Sequence, residues 1–95
     1  PKTKEQKRLE AQRRAETKAV QDKVRKIEKD MDRLNVELKK LEETLARPDT
    51  YMAGADVAEI SRKYQEGRRR QQTLESDWTN AMQALEASRS TLGVG

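Results

Sequence analysis

From Val20 onward the apolar residues fall at Val20, Val24, Ile27, Met31, Leu34, Leu38, Leu41 and Leu45, with gaps that alternate between four and three residues. That spacing is the a/d seam of a coiled coil. With Val24 as an a position, Val20, Ile27, Leu34 and Leu41 are d positions, and charged or polar residues fill nearly all the other places, Val36 and a few alanines excepted. The tract stops at Arg47-Pro48, because proline drives its predecessor out of helical geometry and has no N–H for the next helical bond. The pattern predicts a first helix over about 17–46.

The stretch from Pro48 to Ala55 holds Pro, Asp, Thr and Gly and reads as a connector over about 47–56. Asp56, with Glu59 three residues on, has the form of a capping box that opens a second helix over about 57–90. Its seam is Val57, Ile60, Tyr64, Gly67, Gln71, Leu74, Trp78, Ala81, Leu85, Ser88 and Leu92, again at gaps of three and four. The seam is weakest at Gly67 and Gln71. A helical glycine costs about 1 kcal/mol relative to alanine, and Gly67 reads as room for a large neighbour in preference to a hinge. Residues 93–95 read as a flexible tail.

The fold class predicted is all-α: a two-helix antiparallel coiled-coil hairpin over 20–92, preceded by a basic, helical N-terminal arm over 1–19. Flanking charges agree with intramolecular pairing. The first helix places Asp30 and Glu37 at g, the second places Lys63 and Arg70 at g, and in an antiparallel pair g faces g. The proline break and this match point to a monomeric hairpin, while a domain-swapped dimer would use the same seams. Register stays open, because pairing Leu41 with Val57 or with Tyr64 leaves both seams in phase. The paired tract from Thr17 to Leu45 would be on the order of 40 Å long.

Composition narrows the functional classes. The 95 residues suffice for one domain, and 40% charged against 33% hydrophobic suits a long two-faced helix better than a globule. Cysteine is absent, which excludes disulfides and thiolate metal sites. Histidine is absent too, removing the usual neutral-pH acid or base and the commonest ligand of catalytic zinc. No phosphate-cradling glycine loop or nucleophile triad occurs, and Glu42-Glu43 are neighbours on a solvated helix. The chain is therefore expected to be no enzyme and to hold no metal or cofactor. No apolar run approaches the roughly 20 residues that span a bilayer, and no signal peptide opens the chain. No membrane partner and a cytoplasmic location are expected. The start at Pro1 without Met reads as the end of a piece from a longer polypeptide.

The net charge of +4 is unevenly placed. Residues 1–19 hold Lys2, Lys4, Lys7, Arg8, Arg13, Arg14 and Lys18 against Glu5, Glu10 and Glu16, while the remainder holds 14 charges of each sign. A basic segment of this kind neutralises phosphates and releases counterions, giving salt-dependent and sequence-independent nucleic-acid binding. A solvated linker is the plainer alternative. Candidate phosphate contacts in the arm are Lys7, Arg8, Arg13, Arg14 and Lys18. The outer face of the first helix adds Arg25, Lys26, Lys29, Arg33, Lys39 and Lys40 against Asp22, Asp32 and Glu43. In the second helix Lys63 and Arg70 answer acids across the seam, so Arg62 and Arg69 read as the free donors, with Arg68 undecided. Trp78 and Tyr64 sit on the seam and read as core. Tyr51, beside Met52, is expected to fold over the end of the seam in preference to stacking on a base.

The charged helix with its Val/Ile/Leu seam, the connector Ala46-Arg47-Pro48-Asp49-Thr50-Tyr51, the aromatic in Glu75-Ser76-Asp77-Trp78 and the stretch Lys26-Ile27-Glu28-Lys29-Asp30-Met31-Asp32-Arg33-Leu34-Asn35 resemble the C-terminal domain of ABC-F ATP-binding cassette proteins, Uup-like members included. The likeness runs from about Glu5 to Ala87, and C-terminal tails of valyl-tRNA synthetases look similar. The resemblance implies two ATP-binding ATPase domains upstream in the full protein. It also implies that this segment is an accessory domain contacting DNA or ribosomal RNA, in a family that acts on ribosomes. None of the ATPase motifs lies in this chain, and the family carries over no individual binding residue. A protein-interaction or regulatory coiled coil that docks on the ATPase domains or the ribosome is the alternative.

Overall fold

The structure, a computed structural model, describes residues 1–52 and 54–93, with side chains through residue 90. Helix α1 spans Lys4–Ala46, a short 3-10 turn covers Pro48–Tyr51, and helix α2 spans Val57–Gly93. The two long helices pack against each other as an all-α antiparallel hairpin, with no strand among the described residues.

The arm and the first helix are one element, so the start expected near residue 17 moves to Lys4. The reason is a capping box at Thr3. The Gln6 N–H donates to Thr3 Oγ1 at 3.1 Å and the Thr3 N–H donates to Gln6 Oε1 at 2.9 Å, which satisfies two donors that a helix start otherwise leaves without partners. Further along, Arg8–Glu5 at 2.5 Å and Lys18–Asp22 at 3.0 Å pair within the helix surface, the spacing at which neighbours on a helix meet.

At its other end α1 stops where Arg47 is extended, at φ −82° and ψ 125°, as a residue before proline must be. No basic residue lies in the last turn, and hydroxyl groups of the connector take the stranded carbonyls. Thr50 Oγ1 donates to the Thr44 carbonyl at 2.6 Å, and Tyr51 Oη donates to the Leu45 carbonyl at 2.8 Å. Thr50 is buried, whereas Tyr51 is 58% exposed. Tyr51 therefore folds back on the end of α1 at the last seam residue and caps it, because its hydroxyl is drawn to a carbonyl that the helix cannot satisfy internally. Gly54 makes the return turn at φ +73°, a conformation that other L residues adopt at a cost.

Helix α2 opens on Asp56, whose Oδ1 accepts the Glu59 N–H at 3.0 Å. Half of the expected capping box is made; the Glu59 carboxylate turns to Arg62. The helix runs on to Gly93, past the end expected near 90 and into the stretch read as a tail. Residues 94–95 and the Leu92 side chain, a seam position by spacing, lie outside the described residues.

The chain divides into two compact units, Pro1–Glu28 with Asp77–Gly95 and Lys29–Ser76. In the first, Thr17, Val24, Ile27, Ala81 and Leu85 are buried. Thr17, where the paired tract is expected to begin, lies one heptad ahead of Val24 and extends the seam to that point. The Thr17 and Ser88 hydroxyls meet at 2.5 Å, and Thr17 Oγ1 also reaches the Arg13 carbonyl at 3.0 Å. Trp78 is half-buried on the seam and its Nε1–H donates to Glu28 Oε2 at 3.2 Å.

In the second unit Leu34, Leu38, Leu74 and Thr50 are buried. Gln71 Nε2 donates to Asn35 Oδ1 and Tyr64 Oη donates to Glu42 Oε1, both at 2.8 Å. These bonds select the register in which Leu41 faces Tyr64. A Cβ built on Gly67 would lie 2.6 Å from Leu38 Cδ2 and 3.5 Å from Leu38 Cγ. Gly67 is thus the seam's seat for Leu38, as its spacing predicts, and not merely a weak point.

Replacing Gly67 by Leu should lower stability by about 1–3 kcal/mol through overpacking, measured by urea unfolding followed by far-UV circular dichroism. Leu38→Ala added to it should restore part of the loss, since the two side chains compete for one space. A double variant no better than the sum of its single effects would show that Leu38 is not what Gly67 accommodates. Asp56→Ala should cost about 1 kcal/mol as a lost helix cap.

Candidate nucleic-acid interface

All thirteen candidate residues are exposed, because each sits where a charged side chain can remain hydrated while the seam buries the apolar positions. In the first unit these are Lys7, Arg8, Arg13, Arg14, Lys18, Arg25 and Lys26; in the second, Lys29, Arg33, Lys39, Lys40, Arg62 and Arg69. They differ in what already holds them. Arg8 and Lys18 are paired with Glu5 and Asp22, and Lys26 is engaged as well. Among the described residues Lys7, Arg13, Arg14, Arg25, Lys29, Arg33, Lys39, Lys40 and Arg69 make no side-chain ion pair.

Arg62 departs most from expectation. Taken as a free donor, it is instead gripped by two acids on its own helix, Glu59 and Glu66, each at 2.6 Å. The bond to Glu59 is the main reason its guanidinium is held even further above the usual range, and the same bond keeps the Glu59 carboxyl below the ordinary carboxylate range. The signal was in the sequence, since acids three before and four after a basic residue face it on a helix. Arg68, undecided from spacing, donates to Gln71 Oε1 at 2.7 Å.

Glu37, Lys63 and Arg70, matched by their g positions, come together on the rim of a groove in the second unit whose floor includes Leu34, Leu38 and Gly67. On α2, Glu59 and Glu66 hold Arg62 and Glu37 lies on the same groove as Lys63 and Arg70, while among the described residues Arg69 keeps its charge without an ion pair. On α1 the cations outnumber their acidic neighbours. Exposed ion pairs are weak and easily exchanged, so Arg8 and Lys18 can trade a carboxylate for a phosphate at little cost, whereas Arg62 must leave two.

The aromatic groups are committed elsewhere. Tyr64 and Trp78 are half-buried with their polar atoms bonded to Glu42 and Glu28, and Tyr51 is bonded to the Leu45 carbonyl. The Tyr64 phenol is pushed up, first by its hydrogen bond to Glu42 and then by burial. Among the described residues no helix is long and apolar enough to cross a membrane, and no cluster of His, Cys, Asp or Glu could hold a metal ion.

No family model, curated protein or solved structure matches the chain.

Because the folded pKa of Tyr64 lies above its unfolded value, the bond to Glu42 contributes stability below the ordinary phenol pKa of about 10 that is lost as pH rises through the folded value. Tyr64→Phe should be less stable than the parent at neutral pH and should lose less of its thermal midpoint between neutral and strongly alkaline pH. Parallel pH profiles for the two proteins would show that the bond does not contribute.

Proposed function

We infer that the chain is a non-catalytic, nucleic-acid-binding accessory domain of an ABC-F ATPase, contacting DNA or ribosomal RNA through the phosphate backbone. The observation that carries this reading is the concentration of the whole net charge in residues 1–19, on a helix whose basic side chains are exposed. Such a segment attracts a polyanion and exchanges its counterions for protein cations. The likeness of the connector and of the Trp78 segment to the ABC-F C-terminal domain supports the same assignment, with ATPase domains upstream in the same polypeptide, a monomeric state and a cytoplasmic setting. Phosphate contacts carry no base information, so the domain binds by charge and shape.

The groove of the second unit favours a second reading. Its apolar floor and mixed-charge rim suit a protein surface, and docking there on the ATPase domains or on a ribosomal protein would make this a regulatory coiled coil. Such a domain would alter ATP hydrolysis when deleted from the full protein and would show no salt-sensitive binding to nucleic acid by itself.

Fluorescence anisotropy against labelled duplex DNA, single-stranded DNA and structured ribosomal RNA, titrated from about 50 to 200 mM salt, tests the first reading. Binding should weaken steeply with salt. Charge reversal at Arg13, Arg14 and Lys18 should weaken it further and flatten the salt dependence. Absence of binding at the low-salt end would sink the nucleic-acid reading.

A further inference from the structure

The cations of the first unit are not spread evenly around α1. Taking the seam as a and d, the flanking e and b columns between Lys4 and Arg25 read Lys4, Lys7, Ala11, Arg14, Lys18, Gln21 and Arg25, at gaps alternating three and four. Those columns lie side by side on a helix, so the residues form one straight row along a single flank. Five are basic and none is acidic. All five are exposed, and of these only Lys18 has an ion pair among the described residues, with Asp22 at 3.0 Å. The arm's acids fall off this row: Glu5 pairs with Arg8, and Glu10 with Lys2. The row ends where Glu28 takes the e column and turns to Trp78.

The flank is shared with α2. In an antiparallel pair e faces e, and the Trp78–Glu28 bond identifies the edge on which Trp78 looks out. Arg89, exposed and four residues beyond Leu85, shares a groove with Trp78 and Glu86 on that edge of α2 and adds a further cation there. Arg8, Arg13 and Lys26 occupy other columns.

We propose that this row, Lys4, Lys7, Arg14, Lys18 and Arg25, with Arg89 on α2, is the surface that lies against the phosphate backbone of a nucleic-acid duplex. The proposal rests on the nucleic-acid reading above and names the face and the form of the partner. At about 1.5 Å per residue the row is about 30 Å long, with a cation on average about every 8 Å. A duplex presents one phosphate charge per about 1.7 Å of axis, wound around its surface, and a straight row of about 30 Å spans close to one helical turn of about 34 Å, so it crosses both phosphate strands without bending. A stiff row fits a stiff polyanion. A single strand would gain from base stacking, and the aromatic residues are held in the seam or at the α1 cap.

The test compares two triple variants of equal charge by anisotropy across salt, using a short labelled DNA duplex, an RNA duplex of the same sequence and the single DNA strand. One removes Lys7, Arg14 and Arg25 from the row, each to Gln; the other removes Lys2, Lys23 and Arg47 in the same way. Glutamine is a good helix former, and far-UV circular dichroism checks that both stay helical. The row variant should lower the slope of log affinity against log salt by about 2–3 on DNA duplex, and the other by under about 1. Equal losses in both variants would overturn the row while leaving nucleic-acid binding intact. Tighter binding of the single strand than of either duplex would overturn the choice of partner. An unsubstituted chain that binds none of the three ligands would remove the reading on which the row rests.

Discussion

Leu38 occupies the space that Gly67 leaves by having no side chain, and the register of the second unit brings the two together. A Cβ at Gly67 would stand 2.6 Å from Leu38 Cδ2, closer than packed carbon atoms approach one another. Sliding one helix by a heptad would keep apolar residues opposite apolar residues, yet it would set Leu38 against a residue with a side chain and separate Tyr64 from Glu42. Hydrophobic burial supplies most of the stabilisation in such a seam but does not discriminate between in-phase registers. Local shape and the polar tips of seam residues make the selection.

Those tips share a pattern. Tyr64 and Gln71 of the second unit, and Trp78 of the first, are seam residues of α2 spaced by heptads, and each sends a polar atom to an α1 residue just outside the seam: Glu42, Asn35 and Glu28. Each residue buries its body and satisfies its tip, which avoids the cost of a buried polar group left without a partner. The first unit has another form of the device, in which Thr17 and Ser88 bond each other inside the seam. Charge is sorted by the same geometry. On α2, Glu59 and Glu66 hold Arg62, while α1 keeps cations that the seam does not use, and that excess makes α1 the candidate surface for a polyanion.

Several features that spacing did not reveal were nonetheless written in the chain. Thr17 opens the expected paired tract and lies seven residues before Val24, yet its burial in the seam escapes a search for apolar positions, which passes over threonine. Thr3 and Gln6 have the spacing of a capping box, masked by reading the arm as charge alone. Glu59 and Glu66 bracket Arg62 at helical spacing, so its engagement followed from sequence once both acids were counted. Tyr51 is different. Its bond to the Leu45 carbonyl requires the 3-10 turn to fold back on the end of α1, and no local pattern specifies where that turn points.

By itself the sequence determined the all-α class, the two helices, the break at Arg47-Pro48 and the excess of charge at the N-terminal end. Each follows from period, proline chemistry or composition, which act through neighbours along the chain. Only the tertiary structure decided the register, which neighbour Gly67 admits, the partners of Tyr64, Gln71 and Trp78, and the cap made by Tyr51. Those depend on which atoms meet across two helices, and a seam that repeats every heptad offers more than one alignment of equal apolar burial. The choice falls to side-chain shape and hydrogen bonding between residues far apart in the chain.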